Sequence, residues 1–262
     1  MIRTMIRTIS AFTLILMMSL SSALATQDCT APELVCKASR NQDRSLYVRD
    51  HCRYEQKLRV ERFKLKDGKE NMEEVRETTV AVEPALEPDK TGSLPVDVRV
   101  ISDTDKQGNP KGSVKEDEKT LLSFGAVWDL AFFPLLPEKI KYYNFQEVVA
   151  ERKNEKWYRF IPKPEVLDVP LASGVAQLDP KTGEVLTVKI ENLHNLEALG
   201  RDAKDASKLR SFSATIDYSQ FEGSLRIPTL ASGIGVSNIR RFEGNFRFRF
   251  EEGRYRIVRN IK

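Results

Sequence analysis

Two histidines, three cysteines and 38 acidic residues are the groups of this 262-residue chain that could carry out chemistry. Their spacing excludes most of it. No G-x-S-x-G elbow, H-E-x-x-H pair, Walker loop or complete G-x-G-x-x-G occurs. Ser232-Gly233-Ile234-Gly235 resembles a phosphate loop only superficially. It lacks the lysine, has Asn238 where the last glycine should fall, and is expected at a hairpin tip. His194 could act as a general base but stands at a strand end between asparagines. The acids mostly alternate with apolar residues on strand faces, where solvated surface is their default and no glycosidase pair stands out. The C-x6-C and C-x15-C spacings match no common zinc site, and only His51 is near them. No catalytic residue, metal or cofactor is therefore expected. Arg247 and Arg249 form a short basic stripe, but Glu243, Glu251 and Glu252 adjoin it. Charges of both signs are interspersed, which argues against nucleic acid as a partner.

The N-terminus bears on where the chain works. Arg3 and Arg7 precede an apolar stretch from Ile9 to Leu20, and Ala23-Leu24-Ala25 gives a small-x-small site. This is the pattern of a signal peptide, Met1–Ala25, cleaved after Ala25. A retained anchor is the alternative, but the apolar run is shorter than the roughly 20 residues a spanning helix needs. Cleavage removes two arginines and no acid, so the formal net charge falls from +4 to +2. Thr26-Gln27-Asp28 before Cys29 is the wrong chemistry for a lipid-anchored N-terminus. A periplasmic or secreted protein is expected, with no transmembrane span in the mature chain.

Three cysteines in an oxidising compartment imply one disulfide and one spare thiol. Thr30-Ala31-Pro32-Glu33 has the form of a capping box, with Cys29 just outside the helix and Cys36 in its second turn. A helix rising about 1.5 Å per residue holds those two sulfurs too far apart. Cys36 and Cys52 meet only if the helix stops near Arg40-Asn41. Cys36–Cys52 is the candidate pair.

Beyond a first helix at about Ala31 to Leu46, the chain reads as strands. Tyr54, Gln56, Leu58 and Val60 alternate with charged residues, and the phase flips at Phe63, so a bulge is expected near Glu61-Arg62. Lys66-Asp67-Gly68-Lys69 is a hairpin turn. Strands follow at Met72–Val82 and Val96–Ile101, a loop at Pro84–Pro95, and a flexible segment at Ser102–Lys119. From Ile140 the strands are Tyr142–Arg152, Lys156–Ile161, Gly174–Leu178, Glu184–Asn192, Ser211–Tyr218, Gly223–Pro228, Phe242–Phe250 and Arg254–Val258. Glu251-Glu252-Gly253 is read as a turn, and Leu193–Lys208 as a loop or short helix. Alternating apolar and polar faces mark an antiparallel sheet wetted on one side.

Leu121–Leu136 stands apart, with Asp129 as its only charge. It is read as a buried helix ended by Pro134 and Pro137, as the wall or lid of a ligand cavity, or as a membrane-surface helix. In the lid reading, Leu121, Phe124, Trp128, Phe132 and Leu135 share the cavity-facing stripe.

The order of these features resembles the LolA-like periplasmic lipoprotein-carrier superfamily. The resemblance is carried by Asn41-Gln42-Asp43-Arg44 on the first helix, Tyr54 at the first strand, and Trp157 to Pro162. Gly174 to Val185 and Phe221 to Pro228 complete it. It covers about residues 40 to 250. Ala176 and Gln177 depart from the usual small-Trp pair, and the Ser102–Lys119 segment is this chain's own. The resemblance implies an α+β fold: a curved antiparallel sheet, or incomplete β-barrel, wrapped over two or three helices and enclosing an apolar cavity. The domain would span residues 26–262. Two functions follow, neither enzymatic. One is an exported binding protein holding a lipid or lipoprotein acyl chain. The other is a protein-interaction or sensory module of the envelope with a filled core. An open apolar cavity favours the first, and a cavity filled by side chains favours the second.

Overall fold

The computed structural model describes residues 29–84, 96–111, 125–149, 155–198, 208–238 and 244–258. The proposed signal peptide, residues 85–95 and 112–119, and Leu121 and Phe124 lie outside these residues. So do the turn at Asn154 and most of Leu193–Lys208. Ala31–Lys262 form one compact unit.

Helix α1 (Glu33–Asp50) opens this unit. Strands β1 (Cys52–Lys66), β2 (Lys69–Pro84) and β3 (Val96–Asp105) follow, then helices α2 (Gly125–Phe132) and α3 (Pro137–Ile140). The remaining strands are β4 (Tyr143–Val148), β5 (Lys156–Pro162), β6 (Leu171–Leu178), β7 (Val185–His194), β8 (Leu209–Gln220), β9 (Arg226–Ser237) and β10 (Gly244–Ile257). Together they make one antiparallel sheet in the order β3-β2-β1-β10-β9-β8-β7-β6-β5-β4. The sheet is open, with β3 and β4 as its edges. It curls: α2, eight residues and about 12 Å long, packs against β6 and also meets Phe250 of β10 through Trp128. Those strands lie four positions apart, about 19 Å in a flat sheet. The fold is α+β, a curved antiparallel sheet around helices.

Local sequence explains most of the elements. Tyr54, Gln56, Leu58 and Val60 are buried, and the register shifts between Arg62 and Phe63, where the phase change places a bulge. Asp67 and Gly68 both have positive φ, 53° and 74°, as a two-residue type I′ turn requires. The expected flexible segment is partly a strand. β3 continues to Asp105, and the buried Asp103 carboxylate accepts from Thr78 Oγ1 at 2.8 Å and from Arg76 Nε at 2.8 Å.

Three expectations are corrected. Ser232–Gly235 is no hairpin tip but the middle of β9. Gly233 lies opposite Phe248, and Gly235 opposite Phe246. A Cβ on Gly235 would come within 2.5 Å of Phe246 Cζ, and one on Gly233 within 2.0 Å of Ser213 O. The glycines make room for rings lying across them. Likewise Glu251-Glu252-Gly253 does not end a strand. β10 runs through it, and Glu252 faces inward in the same alternation as Phe246, Phe248 and Phe250; the register shift comes after it, between the pairs Glu55–Gly253 and Arg53–Arg256.

The third correction concerns the cysteines. Cys29 and Cys36 are disulfide-bonded, and Cys52 is a free, buried thiol. The capping box does not form, because Pro32 is the N-cap, with extended φ and ψ of −52° and 142° and no side-chain cap. The helix also runs to Asp50 and not to Arg40. Cys36 and Cys52 are thus held about 24 Å apart along its length. Burial pushes the Cys52 thiol up to about 11, which keeps it protonated and unreactive. A thiol reagent without reductant is expected to label the chain only after denaturation, at Cys52 alone. Labelling of Cys36 under the same conditions would refute this pairing.

Candidate functional site

The hollow of the sheet is occupied by α2 and by the polar face of α1. On α1, Val35, Ala38, Gln42, Ser45 and Arg49 recur at steps of three and four and are all buried. The C-terminal half of this stripe is polar, so each of its groups needs a partner inside the protein. Gln42 Nε2 donates to the Tyr218 hydroxyl at 3.1 Å, and its Oε1 accepts from Leu135 N–H at 2.8 Å. The Tyr218 hydroxyl in turn donates to Phe132 O. Together these groups satisfy the end of α2, where helical carbonyls lack intrahelical donors. Asn41 Nδ2 donates to Thr182 O at 3.1 Å, in the turn between β6 and β7. Ser45 Oγ lies 2.6 Å from Arg226 O, at the start of β9.

Arg49 is the hub. Its Nε and Nη2 donate to the two Glu252 oxygens at 2.9 and 2.7 Å, and its Nη1 donates to Asp129 Oδ1 at 3.1 Å. Gln56 Nε2 and the Tyr255 hydroxyl also donate to Glu252. The guanidinium lies 5.2 Å from the Tyr54 ring centre and 5.9 Å from those of Phe132 and Phe133. Burial works against its charge, but Glu252, Tyr54 and Asp129 together outweigh that and hold Arg49 well above its usual range. Burial pushes the Tyr54 and Tyr255 hydroxyls up, so both stay protonated, and Tyr255 keeps the proton it donates to Glu252.

Trp128 sits at the centre of the apolar side. Its ring lies 4.8 Å from Phe250, 5.1 Å from Phe248, 5.6 Å from Phe132 and 6.1 Å from Phe212. Trp128, Phe132 and Leu135 are all buried, but only the first two share a helical stripe. α2 ends at Phe132, because Pro134 lacks an N–H and disfavours helical geometry at Phe133. Leu135 lies in the following turn, and Pro137 starts α3. Leu121 and Phe124 lie outside the described residues. Among the described residues, the rings of Phe132, Phe212, Phe248 and Phe250 surround Trp128.

Other residues singled out in the sequence fall elsewhere. His194 Nε2 is 2.9 Å from Ser173 Oγ, and burial lowers its pKa. Among the described residues, no carboxylate orients its second ring nitrogen. Arg247 and Arg249 line an outward-facing groove of about 410 Å³ with Arg59, Glu61, Ser232 and Ile234. Arg247 pairs there with Glu61 and Glu70, and Arg249 with Glu251. Among the described residues, no cluster of three or more ligating side chains could hold a metal. No described helix is long and apolar enough to cross a membrane.

Sequence reasoning missed Arg49, Gln56, Glu252 and Tyr255. The 3-4 spacing of Gln42, Ser45 and Arg49 behind Val35 and Ala38 was the available signal.

No family model matches the chain, and no curated protein matches it. Among solved structures, it is similar to a putative outer membrane lipoprotein-sorting protein domain from Vibrio parahaemolyticus. The identity is 11%, covering 87% of this chain and 95% of that one, with a TM-score of 0.33. A LolA superfamily protein from Nitrosomonas europaea matches at 11% identity over 86% and 94%, TM-score 0.29. A DUF1329 family protein from Desulfovibrio piger matches at 11% over 86% and 95%, TM-score 0.29. The likeness is a distant, LolA-like one of fold, and the fold itself rests on the strand order and register given above.

Asp129 is the half-buried end of the Arg49 network. Loss of water around its carboxyl outweighs the Arg49 charge, and Glu252 adds repulsion, so its pKa is raised. An acid raised in the folded chain favours folding at low pH. That contribution is lost as pH rises from the ordinary carboxylate value of about 4 through the raised one. Asp129→Asn is therefore expected to gain stability relative to wild type as pH climbs through this window. Denaturant midpoints of both proteins across pH 3 to 8 provide the check. A difference independent of pH would contradict it.

Proposed function

We propose that this chain is an exported, non-enzymatic binding protein of carrier type, working in the periplasm. In this reading α2 is a displaceable plug over an apolar floor that accepts a lipid or lipoprotein acyl chain. The observation that carries the reading is how α2 is held. It covers a floor of Phe212, Phe248 and Phe250, yet its polar anchors are the Arg49–Asp129 pair and the Gln42–Tyr218 contacts at its end. An acyl chain gains about 0.8 kcal/mol for each methylene buried. A chain of about sixteen carbons therefore carries on the order of 10 kcal/mol, enough to compete with a short helix for the same floor. The sequence resemblance to lipoprotein carriers and the signal-like N-terminus support the same reading.

The close ring packing around Trp128 favours a second reading, in which α2 is permanent core and the protein is an interaction or sensory module.

One pair of measurements separates them. The protein is extracted with organic solvent for mass spectrometry, and wild type and Tyr218→Phe, which lacks the hydroxyl that holds the end of α2, are titrated with a fluorescent fatty acid. The plug reading expects saturable uptake, several-fold tighter when Tyr218→Phe weakens the anchor. A clean extract with no uptake by either protein would leave α2 as core. In that case Trp128→Ala should cost about 3–5 kcal/mol, as a large core truncation does.

A further inference from the structure

Among the described residues the sheet has two unpaired edges, and they differ in kind. β4 is short, and its one charged side chain, Glu147, is already paired with Lys156 on β5. β3 carries Val96-Asp97-Val98-Arg99-Val100, a flat stretch paired with β2 without a register shift. Within Val96–Val100 there is no proline or bulge, the usual devices that keep an edge strand from pairing with another chain. Pro95 before it and the register shift at Ile101 after it confine the pairing edge to these five residues. Its far end is closed by the chain's own turn, where Thr104 bridges Pro110 and Lys111 N–H donates to Asp103 O at 3.0 Å.

We infer that the β3 edge pairs antiparallel with the β3 edge of a second copy of this chain, in a two-fold register centred on Val98. The sequence is complementary to itself in that register. Val98 faces its own copy, Val96 faces Val100 of the other chain, and Asp97 faces Arg99 of the other chain, twice by symmetry. Val98 and Val100 lie opposite Val82 and Val80 of β2, two buried residues, so the valine row continues the sheet's inner face across the junction. On the outer face, Asp97 and Arg99 are exposed, with no ion-pair partner among the described residues. Asp97 stands directly opposite Glu83 in the register with β2, and Glu83 is already paired with Arg53, so the arginine of a second copy would be the partner of Asp97 itself. Exposed Val96, at 57%, would also be covered. This pairing is independent of what the hollow binds.

Sedimentation equilibrium of the folded protein over a wide concentration range tests it by charge exchange. Wild type is expected to associate reversibly to a dimer and no further. Asp97→Arg and Arg99→Asp each set like charges face to face and should weaken dimerisation about tenfold or more. The double variant, Asp97→Arg with Arg99→Asp, restores both pairs in the opposite sense and should recover the dimer. All four positions of charge are exposed, so circular dichroism should show the same fold throughout. A wild type that stays monomeric, a dimer indifferent to the single changes, a double variant that fails to recover, or open-ended polymers would each overturn the assignment.

Discussion

A guanidinium buried beneath two helices and a sheet must be paired, and the pairing of Arg49 with Glu252 organises this molecule. Removing either charge from water costs several kcal/mol, which is recovered only through close geometry and further hydrogen bonds. Both conditions are met, since Glu252 takes two parallel bonds from Arg49 and further donors from Gln56 and Tyr255. The consequence is positional. The last turn of α1, the end of β10, the start of β1 and the middle of α2 must all converge on one point. A slip of one residue in β10 would turn Glu252 outward and leave Arg49 unpaired, so the network fixes the register joining the two ends of the chain.

The curvature of the sheet reflects a second constraint. α2, about 12 Å long, meets both β6 and, through Trp128, Phe250 of β10, strands that a flat sheet would hold about 19 Å apart. Gly233 and Gly235 let the rings of Phe246 and Phe248 lie across β9, and the aromatic floor they form meets Trp128 of α2. Polar and apolar halves of the hollow therefore depend on each other. Arg49 anchors α2 at Asp129, one residue from the Trp128 ring that fills the floor. Any ligand of this hollow would have to contend with both at once, which links the binding function proposed for the chain to the same hub.

Much of this fold was legible in local sequence. The alternation of Tyr54 to Val60, the bulge before Phe63 and the Asp67-Gly68 turn are properties of neighbouring residues, and they appear where expected. Asn41 and Gln42, which helped carry the family resemblance, prove to be buried contacts to the β6–β7 turn and to the end of α2. The misreadings share a cause. Glu251-Glu252-Gly253 has the composition of a turn, and only Arg49, 203 residues away, makes it a strand. Ser232–Gly235 reads as a hairpin tip until the phenylalanines of β10 are laid across it. The cysteine pairing turned on where α1 begins and ends, which is the least certain feature of any helix read from sequence. Of the residues read as one helical stripe, Trp128 and Phe132 are buried a turn apart on α2, whereas Pro134 ends the helix before Leu135.

The organising role of the buried pair is measured most directly by a double-mutant cycle on Arg49→Met and Glu252→Gln, read as unfolding free energies. Each single change leaves a buried group without its partner and should cost about 3–5 kcal/mol. The account predicts that the double variant loses far less than the sum, because neither uncompensated charge remains. Losses that simply add would show that Arg49 and Glu252 stabilise the protein independently, and would contradict the account.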